Sequence, residues 1–177
     1  MTEETGLIHI YCGDGKGKTT AAVGMAVRCA GGGGKVLFFQ FMKGNTSGEL
    51  AVLNEIPNVT VLSGYGSIKF SFDMDESEKA AAKKYYENRF REITGIARKQ
   101  YFQMLILDEI FPAITCGLIG KAEVLDFLKS KPEHLEVVLT GRDPPPEFFT
   151  LADYISEIRK IKHPFDRGVP ARKLIEK

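Results

Sequence analysis

Glycines and lysines alternate in a short stretch near the start of the chain, and two threonines follow them: Gly13-Asp14-Gly15-Lys16-Gly17-Lys18-Thr19-Thr20. Glycine adopts positive backbone φ angles, which let successive N–H groups turn toward one anion. A lysine ammonium adds a full positive charge, and the hydroxyl that follows it can ligate Mg²⁺. We therefore interpret residues 13–20 as a phosphate-binding loop, with Lys16 and Lys18 as its charged groups.

The loop departs from the strict pattern G-x-x-x-x-G-K-[ST] at its first position. That pattern requires glycine at position 12, where this chain has Cys12, and the first glycine comes one residue later. The alternative interpretation is a flexible surface turn rich in glycine and lysine. The flanking residues disfavour it, because an apolar run of strand length precedes the loop and a helical pattern follows it.

Three further polar sites follow predicted strands or stand near the chain's end. Asp108 and Glu109 close an apolar run, so their carboxylates could hold Mg²⁺ beside Thr19, although an acidic pair also complements a helix dipole. Arg142 follows a strand and a glycine, where its planar guanidinium could reach phosphate oxygens or make a surface ion pair. His163 stands in a Lys-His-Pro context, which leaves its role open between packing and function.

Strands and helices are predicted to alternate along the chain, which favours a three-layer α/β/α P-loop NTPase (RecA-like) domain with a mainly parallel sheet. In such sheets, ligands bind beyond the carboxyl ends of the strands. The predicted strands are 7–11, 35–41, 58–62, 103–108, 134–140 and 154–162, and the predicted helices are 21–30, 49–55, 76–99, 111–120, 121–131 and a short one ending at 153.

Composition limits the class of protein. The 177 residues are enough for one domain, which we expect to span 1–177, and the formal net charge of +1 gives no sign of a nucleic-acid binder. Three widely spaced cysteines suit a reducing cytoplasm, and no apolar run is long enough to cross a membrane. From these residues alone we predict a protein that binds a magnesium nucleotide, with its reaction undecided.

The chain resembles the P-loop family of ATP:corrinoid adenosyltransferases over nearly its whole length. The loop is similar to the family's G-[ND]-G-K-G-K-T-T, and residues 40–44, 107–109 and 139–142 are similar to its Q-F-[IM]-K-G, L-D-E and T-G-R motifs. The part most specific to this family is the segment KHPFDRGVPAR at residues 162–172, because a phosphate-binding loop alone does not require it.

The resemblance implies a reaction in which the cobalt(I) of a corrinoid attacks the 5′-carbon of ATP and displaces triphosphate, with Mg²⁺ as cofactor. It implies Lys18, Lys16 and Arg142 as catalytic residues that stabilise the leaving group, and Thr19, Asp108 and Glu109 as metal ligands. Residues 13–20 would bind ATP, together with Arg28 and His163.

The resemblance also implies that Phe70 and Phe72 pack against the corrin ring, where the family has an F-x-W pair. The tryptophan is replaced by Phe72 here, and Leu174 stands where the family usually has glycine. A flavoprotein electron donor and a homodimer are expected on the same grounds. Two alternatives remain for the residues alone: a P-loop ATPase switch that acts on a protein partner, and a non-catalytic corrinoid carrier.

Overall fold

Six parallel strands form one sheet in the computed structural model, which describes residues 5–44, 47–65 and 74–176. Helices and strands alternate along these ranges, as predicted, and a short 3₁₀ helix (Pro164–Arg167) follows the last strand. The strands are β1 (Ile8–Cys12), β2 (Val36–Gln40), β3 (Val59–Val61), β4 (Met104–Asp108), β5 (Glu136–Thr140) and β6 (Tyr154–Glu157). The helices are α1 (Lys18–Gly31), α2 (Gly48–Asn54), α3 (Glu76–Lys99), α4 (Ile110–Thr115), α5 (Lys121–Lys129) and α6 (Pro146–Leu151).

The strands lie in the order β3-β2-β4-β5-β1-β6, so that β5 separates the loop-bearing strand β1 from the acid-bearing strand β4. Their register brings three polar residues to the same level, because Gln40 pairs with Asp108 and Leu107 pairs with Leu139, the residue before Thr140. Each of these polar residues ends a buried apolar strand. The carboxyl edge of the sheet therefore carries a continuous polar row across β2, β4 and β5.

Apolar side chains cover both faces of the sheet, because successive residues of a strand point to opposite sides. Val36 and Phe38 pack with the small residues of α1, whereas Leu37 and Phe39 pack on the opposite face with α3 and its neighbours. Alanines at every fourth position of α1 allow that helix to lie close to the sheet. This confirms the predicted three-layer α/β/α arrangement.

Three element ends differ from the prediction by three or more residues, and one of them is the end of α4, at Thr115 and not at residue 120. Helix α1 begins at Lys18 and not at residue 21, because Lys-Thr-Thr forms its first turn. Strand β6 ends at Glu157 and not at residue 162. Its partner β1 turns away at Cys12, so that the last ladder bond, from Ile158 N–H to the Cys12 carbonyl at 2.8 Å, ends the pairing.

Candidate active site

The glycine-rich loop joins β1 to α1 in a conformation that requires two of its glycines. Gly13 has φ of 102° and Gly17 has φ of 122°, in the region that disfavours residues with a side chain. A Cβ atom on Gly13 would also lie 2.4 Å from the carbonyl oxygen of Ile158. The loop therefore depends on glycine both for its backbone angles and for its contact with the segment after β6.

That segment, residues 158–160, holds the loop through the backbone. Gly15 N–H donates to the Ile158 carbonyl at 2.8 Å, and the Asp14 carboxylate accepts from the N–H of Lys160 at 2.9 Å. The second of these bonds lowers the pKa of Asp14. Two of the loop's polar groups thus position the loop, and the N–H of Gly15 is not available to a ligand.

The first turn of α1 presents an uncompensated helix terminus. Gly17 is the N-cap, no side chain caps it, and the first turn contains no acidic residue. The first N–H groups of a helix have no acceptor within the helix, and they carry partial positive charge. An anion at this terminus would therefore be stabilised, as a phosphate-binding loop requires.

Lys18 is folded back into the loop. Its side chain is buried, with an exposed fraction of 8%, and its ammonium donates to the carbonyl oxygens of Gly13 and Gly15 at 2.8 Å each. Burial lowers the pKa of Lys18, and the carboxylate of Glu109 opposes that shift. The charge sits at the helix terminus, held by two neutral acceptors that a polyphosphate can outcompete.

Asp108 is the centre of a buried polar network under the cleft. It is fully buried and accepts hydrogen bonds from the Thr140 hydroxyl at 2.7 Å, the Gln40 amide at 2.9 Å and the Thr19 hydroxyl at 3.2 Å. The Gln40 amide also donates to Glu49 at 3.1 Å. Three donors thus converge on one carboxylate, which fixes the position of the Thr19 hydroxyl.

Glu109 reaches the cleft through an unusual backbone conformation. Its φ of 57° is left-handed, and its N–H donates to the Thr140 hydroxyl at 2.9 Å. Burial raises the pKa of Glu109, and the negative charge of Asp108 raises it further. A cation bound between the two carboxylates would reduce the electrostatic repulsion between them.

Oxygen donors of this kind fit Mg²⁺, which prefers carboxylates and hydroxyls and keeps several waters or phosphate oxygens. The candidates are Thr19, Glu109 and, behind them, Asp108. Among the residues the structure describes, no group of three or more His, Cys, Asp or Glu side chains is placed to hold a metal. The donor set therefore suits a metal ion that arrives with a nucleotide's phosphates.

A cleft of about 730 Å³ opens above the loop, with residues 163–176 as its outer wall. Arg142 is exposed at its rim, after Gly141, and His163 lines it while its Nδ1 accepts from the N–H of Phe165 at 3.2 Å. The predicted site residues that line the cleft are Asp14, Gly15, Lys16, Gly17, Lys18, Thr19, Thr20, Glu109, Arg142 and His163.

The outer wall is joined to the loop by ion pairs. Lys16 lies 3.3 Å from the Glu176 carboxylate, which also pairs with Arg172 at 2.9 Å. Hydrogen bonds from Arg172 lower the pKa of Glu176 to about 2. Lys16 is about half exposed, so that, unlike Lys18, it can exchange this partner for a ligand without leaving a buried charge unpaired.

Comparison with known proteins identifies the family of this chain. The family described as ATP:corrinoid adenosyltransferase BtuR/CobO/CobP matches residues 4–176. The chain belongs to this family. The corrinoid adenosyltransferase of Escherichia coli (strain K12) is 34% identical over 173 residues, which cover 96% of this chain and 85% of the relative.

Two further relatives agree with this. The corrinoid adenosyltransferase CobA of Salmonella typhimurium (strain LT2) is 33% identical over 170 residues, covering 96% of this chain and 85% of the relative. A corrinoid adenosyltransferase of Sinorhizobium sp is 32% identical over 177 residues, covering 99% and 82%. Membership in the ATP:corrinoid adenosyltransferase family makes the protein a transferase that adenosylates a corrinoid, as the resemblance predicted.

Among the described residues, three that were predicted for the site do not line the cleft: Gly13, Asp108 and Arg28. Gly13 and Asp108 contact residues that line it, through Lys18 and Thr19. Arg28 is exposed on the last turn of α1, ten residues and a rise of about 15 Å from Lys18, and the structure does not bring it to the loop. Phe70 and Phe72 lie outside the described residues. Within the described ranges, every helix is too short or too polar to cross a lipid bilayer.

Sequence reasoning did not assign a role to four residues that complete the site. Gln40 and Thr140 were identifiable, because each is a polar residue that ends an apolar strand at the ligand-binding edge of the sheet. Lys43 lies in the stretch similar to the family's Q-F-[IM]-K-G motif, whereas Glu49 carried no signal, because it lies in the short helix α2. Both line the cleft beside Thr19.

Proposed function

We propose that the protein transfers the 5′-deoxyadenosyl group of ATP to the cobalt(I) of a corrinoid and releases inorganic triphosphate. The observation that carries the proposal is the charge arrangement of the cleft. An uncapped helix terminus, Lys18 and Lys16 face one space together with the rim guanidinium of Arg142, while Glu109 and Thr19 lie on its floor. Such a site suits a polyphosphate accompanied by a metal ion.

The bonds and electrons of this reaction balance without a base. The cobalt(I) electron pair forms the Co–C bond, the C5′–O bond breaks with its electron pair on the triphosphate, and cobalt becomes cobalt(III). No proton has to be removed from the nucleophile. The protein's contribution is therefore to hold both substrates in line and to stabilise the negative charge that develops on the leaving group.

Each charged residue has a distinct part in that stabilisation. Lys18 would exchange the two loop carbonyls for phosphate oxygens, and Lys16 would exchange Glu176. Arg142 makes no hydrogen bond or ion pair within the described ranges, so its guanidinium is available to a phosphate. Thr19 and Glu109, with Asp108 behind them, would hold Mg²⁺, which when bound neutralises part of the triphosphate charge.

We also propose which corrinoid the protein adenosylates and which partners it has. We expect cobalamin or cobyrinic acid a,c-diamide as the corrinoid, with Phe70 and Phe72 against the corrin ring. By the same resemblance we expect His163 to contact ATP, a flavoprotein to supply the electron for cobalt(I), a homodimer and a cytoplasmic location. Exposed apolar side chains on the sheet edge, Tyr154 and Ile155, support an assembly through β6. Light scattering on the purified protein tests the dimer.

The reaction is tested by mixing the protein with Mg-ATP and chemically reduced cobalamin. We expect growth of the light-sensitive absorbance of a cobalt–carbon bond, and its loss in Lys18→Ala. Steady orthophosphate release without any corrinoid would instead support a P-loop ATPase switch. Tight corrinoid binding with no alkylated product, unaffected by Lys18→Ala, would support a carrier.

A further inference from the structure

Lys43 places a positive charge beside two of the three groups proposed to hold the metal ion, Thr19 and Asp108. Its ammonium lies 3.3 Å from the Thr19 hydroxyl and 3.6 Å from Asp108, and the side chain is about one-third exposed. Lys43 also lines the nucleotide cleft. A cation of the protein itself thus contacts the oxygens that a metal ion would otherwise contact.

The backbone before Lys43 is held in a costly conformation that places it there. Met42 has φ of 57°, which is strained for a residue with a side chain, and its N–H donates to the Tyr86 hydroxyl at 3.2 Å. Tyr86 is fully buried, and the preceding Phe41 N–H donates to the Asp108 carbonyl at 2.8 Å. The turn after β2 is therefore fixed at both of these residues, and it directs the chain back over Asp108.

We propose that Lys43 is an internal counter-ion that occupies the metal site while no nucleotide is bound and moves to the polyphosphate when the metal–nucleotide complex enters. This inference rests on the proposed function. A lysine suits the role, because its ammonium is a point charge on a flexible four-carbon stem. Asp108, which is buried, keeps a cationic partner in both states.

The consequence is ordered binding. A metal ion alone would have to displace Lys43 with nothing to receive the ammonium, since cations at the same oxygens repel each other. A nucleotide supplies new acceptors for Lys43 through its phosphates. The metal should therefore bind weakly to the free protein and tightly together with ATP.

The test uses Mn²⁺ as a spectroscopic substitute for Mg²⁺, with free Mn²⁺ measured by electron paramagnetic resonance. Without nucleotide, Lys43→Met should bind Mn²⁺ at least about tenfold more tightly than the wild type, because a divalent ion no longer meets a nearby positive charge. Lys43→Arg keeps the charge and should remain close to the wild type. Lys84→Met removes an exposed lysine from α3 and should change nothing.

A second titration adds ATP without corrinoid. The wild type should bind Mn²⁺ much more tightly with ATP than without, and Lys43→Met should lose most of that coupling. If Lys43→Met does not fold, as judged by thermal unfolding, Lys43→Gln replaces it in both titrations. Equal nucleotide-free Mn²⁺ affinity in the wild type and the uncharged variant would overturn the inference. A wild type that binds no Mn²⁺–ATP at all would overturn the proposed function instead.

Discussion

The floor and the outer wall of the cleft are built in opposite ways. The floor is a buried network around Asp108, in which Thr140, Gln40 and Thr19 all donate to one carboxylate. The outer wall, residues 163–176, is mostly exposed, and its contact with the loop is the ion pair between Lys16 and Glu176. Buried networks are rigid and costly to break, whereas exposed ion pairs contribute little to the free energy of unfolding. We infer that the floor fixes the nucleotide site and that the wall adapts to ligands.

The largest effect should come from Lys18→Ala, which removes the buried cation of the loop. Removing one positioned charge that stabilises the leaving group should lower turnover by about 10²–10³-fold. The fold should persist, because the Lys18 ammonium bonds only to two loop carbonyls within the described ranges. Lys16→Ala, the exposed counterpart in the same loop, should lose less. The comparison fails if Lys16→Ala is the more damaging of the two in an assay of triphosphate release.

Asp108→Asn sharpens the comparison in terms of stability. An amide would place an N–H₂ group against one of the three donors, which should lower the free energy of unfolding by about 3 kcal/mol. The matched change on the outer wall is Asp166→Asn, which removes the exposed ion pair with Lys160 at 2.9 Å. That change should cost less than about 1 kcal/mol. Urea unfolding of both variants measures the difference, and similar losses would contradict the contrast.

Gly13→Ala tests how tightly the loop is held by the segment after β6. The new methyl group would lie 2.4 Å from the Ile158 carbonyl at a φ of +102°, so strain and overlap together should cost about 2–3 kcal/mol. Gly33→Ala is the control, because φ there is +88° and nothing lies within 4 Å of the new atom. It should cost only the strain, about 1–2 kcal/mol. Equal stability of the two variants in thermal unfolding would show that the overlap with the Ile158 carbonyl adds no cost.

Tyr86→Phe removes the hydroxyl that accepts from Met42 N–H, and we expect a loss of about 1 kcal/mol. Burial raises the pKa of Tyr86 from 10.0 to about 12. The folded state therefore holds the proton more tightly than the unfolded state, and this contribution to stability is present below pH 10 and lost as the pH rises toward 12. The difference in unfolding free energy between wild type and variant should shrink over that window. A constant difference would show that Tyr86 is not protected from ionisation.

The smallest effect should come from Glu176→Gln on the outer wall. The exposed ion pairs with Lys16 and Arg172 would weaken, so the change in stability should be close to the detection limit. Because the pKa of Glu176 is lowered to about 2, the charged carboxylate contributes above its ordinary value of 4.5 and is lost as the pH falls toward 2. ATP should bind slightly more tightly to the variant, since Lys16 is released. Weaker ATP binding, measured by calorimetry, would show that the wall is part of the rigid site.

The contrast between floor and wall also explains which parts were predictable from sequence. The loop, α3 and the acidic pair depend on local patterns: glycine spacing, the Asp75 capping box and an apolar run that ends at Asp108. Lys43 was recognisable from the motif at residues 40–44, but its contacts with Thr19 and Asp108 were not predictable, because they depend on the positive φ of Met42 and on Tyr86, which is distant in sequence. The contact between Gly15 and Ile158 likewise depends on the path of the chain after β6.

Phosphorus NMR of the reaction products tests the central claim most directly, since the claim is that the loop binds a triphosphate that leaves intact from carbon. With wild-type protein, ATP, Mg²⁺ and reduced corrinoid, we predict inorganic triphosphate and adenosylated corrinoid in equal amounts, with no orthophosphate. Orthophosphate and ADP as the products, with the corrinoid unchanged, would contradict the account.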